Sequence, residues 1–229
     1  MSLELNILAF PCSADPVRRD AYHIGLEQVL LYYGVSRVTS QSREWFDDPN
    51  TYLVIVENRD NGMLLGGARM QRASESLSLP MEKAIGFKDP RVYDIVKQYV
   101  PGGVAEFCGL WNSRRVAGMG LGSMFLGRAC IAIAPAMGLK TVLGLCAPST
   151  KENSFKIGFH VDLRLGKNGE FDYPKENLVA TALMMEDPVN IPGASEEDRN
   201  RIFELRNNPN IISDEQTQRG EIRLHYSLI

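Results

Sequence analysis

Ala117-Gly118-Met119-Gly120-Leu121-Gly122-Ser123 lies between an apolar run at residues 104–111 and an amphipathic run at residues 123–137. The first run reads as a strand and the second as a helix. A strand that turns through glycines straight into a helix leaves several backbone N–H groups unpaired at the positive end of the helix dipole. That makes a ready anion site, and phosphate is the anion it suits. A Rossmann turn would need Gly-x-Gly-x-x-Gly after the first strand and an acidic residue about 20 residues later. Here the glycines run Gly-x-Gly-x-Gly, sit halfway along the chain and have no such acid. A P-loop would need Gly-Lys-Ser/Thr, which is absent. The other reading of the stretch is an ordinary tight turn.

Upstream, residues 51–56 and 63–70 read as two strands joined by Glu57-Asn58-Arg59-Asp60-Asn61-Gly62, whose Asn-Gly is a hairpin signal. Residues 3–10 read as a first strand and 15–33 as a helix with Val17, Ala21, Ile24, Val29, Leu30 and Tyr33 as its apolar positions. Ala14-Asp15-Pro16 supplies its N-cap and first-turn proline, and Gly34 ends it. A shorter helix is expected over 41–46, a helical turn near Met81 within an unrepetitive insertion at 74–87, and a helix over 90–99. Downstream, 140–146 reads as a buried strand, 149–156 as a helix, Gly166-Lys167-Asn168-Gly169 as a turn and 178–185 as a strand. The tail carries a helix at 195–207 with an acidic first turn and a last alternating strand at 221–229. The expected organisation is one domain over 1–187 with an extension, 188–229, packed on it. That extension covers a sheet edge, forms a homodimer contact or caps the core.

A chain of 229 residues can bury one substantial α/β core. With 28 acidic against 25 basic residues and a formal charge of −3, it lacks an electrostatic footprint for nucleic acid. No apolar run approaches the roughly 20 residues of a membrane span and no charged-then-apolar leader opens the chain, so a cytoplasmic protein with no membrane partner is expected. Cys12, Cys108, Cys130 and Cys146 lack CxxC spacing and read as reduced residues, and His23, His160 and His225 form no local metal motif, so no metal is expected.

Glu106 is the lone carboxylate of its apolar strand. Burial there is costly unless the charge is used or paired. The alternatives are a glutamate pointing to solvent or one paired to an arginine such as Arg69.

Taken together, the glycine turn, Gly66-Gly67-Ala68-Arg69 at the end of the third strand and Ile157-Gly158-Phe159 after the fifth resemble the GCN5-related N-acetyltransferase (GNAT) superfamily over roughly residues 15–185. The resemblance implies an α/β fold with a mixed central sheet splayed between strands 4 and 5, helices on both faces and here a C-terminal extension. It implies that acetyl-CoA or another acyl-CoA is co-substrate, its pyrophosphate on Ala117, Gly118, Met119, Gly120, Leu121, Gly122 and Ser123. Two registers fit the family's Gln/Arg-x-x-Gly-x-Gly/Ala loop. One uses Arg115 and the other, preferred for the helix that follows, puts Ala117 where Gln or Arg is usual. Leu110, Trp111 and Asn112 match the family's segment that pairs with pantetheine, and Trp111 is placed in the acyl path, the acceptor pocket or the core. Glu106, eleven residues before Ala117, matches the family's general base. Ser154, beside Asn153, stands where many members carry a tyrosine as general acid; Tyr22, Tyr52 and Tyr173 are alternatives.

The implied activity is acetyl transfer from acetyl-CoA to the amine of a small molecule. A second likeness, to acyl-homoserine lactone and N-acyl amino acid synthases of the same fold, rests on Trp45-Phe46-Asp47-Asp48, Gly66-Gly67-Ala68-Arg69 and Glu106 and implies longer acyl donors. A catalytically silent acyl-CoA-binding module is the third reading.

Overall fold

In the computed structural model, which describes residues 3–35 and 39–229, ten strands form one mixed sheet. They are β1 (Leu3–Pro11), β2 (Thr51–Asn58), β3 (Leu64–Arg72), β4 (Val104–Asn112), β5 (Thr141–Cys146), β6 (His160–Val161), β7 (Glu170–Asp172), β8 (Val179–Met185), β9 (Ile212–Thr217) and β10 (Gly220–Ser227). The order is β6-β8-β5-β4-β3-β2-β1-β10-β9, with β7 also on β8. Only β4–β5 and β1–β10 are parallel pairs.

Strand alternation makes two cores. In β2, Leu53 and Ile55 face one side and Val54 and Val56 the other, all fully buried. A sheet buried on both faces needs a layer on each. On the first side lie α1 (Pro16–Tyr32), α2 (Pro80–Ile85) and α3 (Arg91–Tyr99); on the other lie α4 (Leu126–Ile133) and α6 (Glu196–Asn207). A further helix, α5 (Pro148–Lys156), contacts β8 and the turn that opens α4. The fold class expected from the sequence is the one observed. No helix among the described residues is long and apolar enough to cross a membrane.

Four expectations are corrected. The run 123–137 is not amphipathic in place: every residue of α4 is buried, because α6 covers its outer side and Arg128 turns to Asp198 at 2.7 Å. In α1 the buried residues are Tyr22, His23 and Leu26, while Val17, Ile24 and Tyr33 are exposed, since the polar-looking Tyr22 and His23 carry the packing face. The helix expected over 41–46 is a single 3₁₀ turn, Thr39–Gln41, followed by turns. There the carbonyls of Trp45, Phe46 and Asp48 converge on Cys12 Sγ instead of continuing a helical ladder. Finally, the last strand is joined by β9, which Ile-Ser-Asp-Glu-Gln-Thr does not announce because it is an outer edge with no apolar face. Through β10, which pairs with β1 from Leu3 opposite Ile222 to Leu8 opposite Ser227, the C-terminal hairpin extends the sheet.

Candidate functional site

β4 and β5 pair only from Val104 opposite Thr141 to Phe107 opposite Gly144. Beyond that point β4 keeps β3 as its partner up to Asn112 but parts from β5, so residues 108–112 have no strand partner on that side among the described residues. Gly109 helps set the fork. It has φ +58°, lies where the β3–β4 register shifts, and a Cβ there would overlap the Tyr22 hydroxyl. That hydroxyl donates to the Gly109 carbonyl at 2.7 Å, tying the bulge to α1.

A cavity of about 490 Å³ fills the fork. Its wall is mostly apolar, with Leu26 and Leu30 from α1, Phe107 and Leu110 from β4, Leu145 from β5 and Phe159 among its residues. Glu106 is the ionisable carboxylate in that wall and is 3% exposed. Its Oε2 accepts the Met81 N–H at 2.7 Å. The local sequence explains the donor: Pro80, first in α2, has no N–H, so Met81 presents one of the unpaired N–H groups of a helix start. Glu82 accepts the Leu79 N–H at 2.6 Å and closes that first turn. Burial pushes the Glu106 carboxyl from its ordinary 4.5 up to about 8; the Met81 N–H and the Arg69 charge oppose the rise and Glu82 adds to it. Arg69, on the neighbouring strand, is fully buried and stacks 4.4 Å over the Trp45 ring.

A second, more polar cleft of about 390 Å³ lies at the glycine turn, lined by Asn112, Gly118, Gly120, Gly122, Ser123 and Asn153 among others. Gly118 and Gly120 have φ +81° and +71°, a region L side chains rarely adopt. Their N–H groups donate to no acceptor among the described residues. After them the chain enters a π-helical turn, Leu121–Phe125, and then α4, so further first-turn N–H groups open the helix beside the cleft. Asn153 Nδ2 donates to Ser123 Oγ at 2.6 Å and ties α5 to this turn. β4 reaches the cavity with Leu110 and the cleft with Asn112; α5 reaches them with Ser154 and Asn153. The two spaces therefore lie in succession along the forked edge.

Three candidate residues, Arg115, Trp111 and Ser154, are each held by local contacts. Arg115 is not among the residues lining the cleft, and its Nη1 lies 3.3 Å from Met63 Sδ. Trp111 is outside the cavity wall: its ring packs on Gly25 of α1 and beside Tyr22, at a centroid distance of 6.3 Å. Ser154 lines the cavity, but its hydroxyl donates to the Thr150 carbonyl at 3.0 Å, as helical serines do when they bond back one turn. Of the three alternative tyrosines, only Tyr173 lines the cavity, its Oη 3.1 Å from the Thr39 N–H. Because Trp111 fills core, Trp111→Ala is expected to cost about 3–5 kcal/mol of stability. Urea unfolding of the two proteins measures this, and an unchanged midpoint would refute the placement.

Sequence reasoning missed Gly109 and its bond from Tyr22 at the fork, Met81 and Glu82 behind Glu106, and the β9–β10 turn beside the glycine loop. Only Leu79-Pro80-Met81-Glu82 carried a readable signal, a proline and a third-position acid opening a helix.

No family model matches the chain and no curated protein matches its sequence. Among solved structures the fold is similar to FeeM, an N-acyl amino acid synthase from uncultured soil microbes, at 15% identity and TM-score 0.59 over 80% of this chain and 92% of that one. It is similar also to an acyl-CoA N-acyltransferase from Pseudomonas aeruginosa, at 13% identity and TM-score 0.54 over 79% and 99%. A CoA-dependent acyl-homoserine lactone synthase, BjaI, described with SAM and isopentyl-CoA, matches at 11% identity and TM-score 0.52 over 90% of each chain. Together with the forked β4–β5 pair and the glycine turn, these likenesses show that the chain has the GNAT-like acyl-CoA N-acyltransferase fold.

Proposed function

We propose that the protein is an N-acyltransferase that moves a medium-length or longer acyl group from acyl-CoA to the amine of a small molecule, with Glu106 as general base. The observation that carries this reading is the apolar cavity at the β4–β5 fork, which has the buried Glu106 in its wall and the polar glycine-turn cleft beside it. The cleft takes the CoA pyrophosphate, the β4 edge takes pantetheine, and the cavity takes the acyl chain and the incoming amine. With the Trp111 ring packed on Gly25 and outside the cavity wall, the apolar volume favours a longer chain.

In the proposed step the amine nitrogen attacks the thioester carbonyl, the C–N bond forms and the C–S bond breaks. Ionised Glu106 takes the proton lost by the nitrogen, directly or through water, and the thiolate leaves to be protonated by solvent. Ser154 gives no proton in this scheme, since its hydroxyl is engaged by Thr150.

Each additional buried CH₂ contributes about 0.8 kcal/mol, so octanoyl-CoA should exceed acetyl-CoA in kcat/KM by at least roughly tenfold. Thiol release with both donors against amino acids, polyamines and other small amines measures this. Acetyl-CoA as the better donor would return the assignment to a short-chain acetyltransferase. Binding of CoA with no turnover across the amines would leave a silent acyl-CoA-binding module.

The same assay tests the cavity. Gly144 lines it, and a Cβ there would meet its nearest neighbour, the Phe107 carbonyl oxygen, at an ordinary 3.5 Å. The first atom of a side chain at Gly144 is therefore accommodated, Gly144→Leu is expected to fold with its bulk in acyl space, and the octanoyl-to-acetyl ratio should fall about tenfold or more. An unchanged ratio would place the acyl chain elsewhere.

A further inference from the structure

Opposite the glycine turn, the cleft is closed by residues far away in sequence: Gln216, Thr217 and Gln218, at the turn between β9 and β10. Arg219 fastens that turn. Its Nη1 donates to the Arg115 carbonyl at 2.9 Å and to the Ala117 carbonyl at 3.2 Å, and its Cδ lies 3.7 Å from where a Cβ on Gly118 would stand. The hairpin is held by β10, paired with β1 on one side and β9 on the other. Among the described residues no carboxylate lines the cleft; its polar side chains are amides and hydroxyls, beside the backbone of three glycines, and the Arg219 guanidinium sits next to it on the Arg115 and Ala117 carbonyls. Uncharged donors beside one cation, with no anion, suit a phosphorylated ligand.

We propose that the C-terminal hairpin is part of the donor site: Gln216-Thr217-Gln218 forms the wall that receives the nucleotide phosphates of coenzyme A, and Arg219 is the positioning residue that fixes this wall on the glycine loop. This rests on the acyl-CoA reading above. It gives the extension a role in donor recognition, and it makes the charge of this wall a determinant of CoA affinity.

The test is calorimetric titration of CoA into the wild type, Gln218→Glu, Gln218→Lys and Gly120→Asp. Gln218 is exposed, so both of its substitutions leave the fold intact. Gln218→Glu should weaken CoA binding about five- to tenfold and Gln218→Lys should tighten it by a similar factor, with both differences shrinking in 0.5 M salt. Opposite signs are the signature of a phosphate facing this wall; a merely structural role moves both variants in the same direction or neither. Two variants that bind CoA like the wild type, or weaken together, while Gly120→Asp has lost binding, would overturn the hairpin's role and leave the acyl-CoA reading standing. Failure of the wild type to bind CoA, or full binding by Gly120→Asp, would bring down that reading and this inference with it.

Discussion

Glu106→Gln is expected to lower kcat by about 10²- to 10⁴-fold while changing acyl-CoA affinity little. Glutamine keeps the shape and can still accept the Met81 N–H, but it has no basic form, so the loss isolates the proton-transfer role. The pH dependence follows from the raised pKa. The active form is the carboxylate, and with half-ionisation near pH 8 the wild-type kcat/KM should rise through neutrality and level off above about pH 8. The variant should lack that limb. Near wild-type turnover at every pH would assign the base role to water or to another group.

The same shift predicts an opposite effect on stability. A carboxyl whose folded pKa is raised from 4.5 to about 8 contributes stability that is full below pH 4.5, declines as the unfolded chain ionises and is gone above about pH 8. Glu106→Gln should therefore melt higher than the wild type at pH 8, with the gap closing below pH 4.5. Thermal unfolding at the two pH values measures it. A base kept in a dry wall at the expense of stability is the pattern expected of a working site rather than a packing residue.

Gly120→Asp is the second large effect: it should abolish measurable CoA binding. The substitution sets a carboxylate among N–H groups aimed at the pyrophosphate. The backbone at φ +71° strains a side chain, but aspartate is among the residues that tolerate this region best. The nearest atom to its Cβ would be Met124 Cε at 2.8 Å, the far end of a flexible side chain that can move. Circular dichroism should stay native while the calorimetric signal for CoA disappears. Retained affinity would remove the glycine turn from the donor site.

The fold was legible where local chemistry and tertiary role agree. The Asn61-Gly62 turn, the alternating strands on either side of it and the glycine turn each state their geometry in a few residues. The face of α1 was not legible, because Tyr22 and His23 read as polar although Tyr22 spends its hydroxyl on Gly109 and His23 pairs with Glu27 at 3.1 Å. α4 looked amphipathic for a related reason: Arg128 marks a solvent face until Asp198, seventy residues later, covers it. Within the site, Glu106 stood out as a charge in an apolar strand, whereas Met81 and Arg219 act through a backbone N–H and two backbone carbonyls, contacts that only the folded chain assembles. Trp111 shows the limit from the other side. The sequence left its ring in the acyl path, the acceptor pocket or the core, and only the side-chain direction at the β4 bulge, which sends the ring to Gly25, decides among them.

The decisive measurement is a crystal structure of the protein with octanoyl-CoA. The pyrophosphate should lie on the N–H groups of residues 118–123, pantetheine along β4 residues 110–112 in the gap left by β5, and the thioester carbonyl close to Glu106 with the acyl chain in the apolar cavity. Octanoyl-CoA bound on any other surface, or an acyl chain lying outside the β4–β5 fork, would contradict this binding mode.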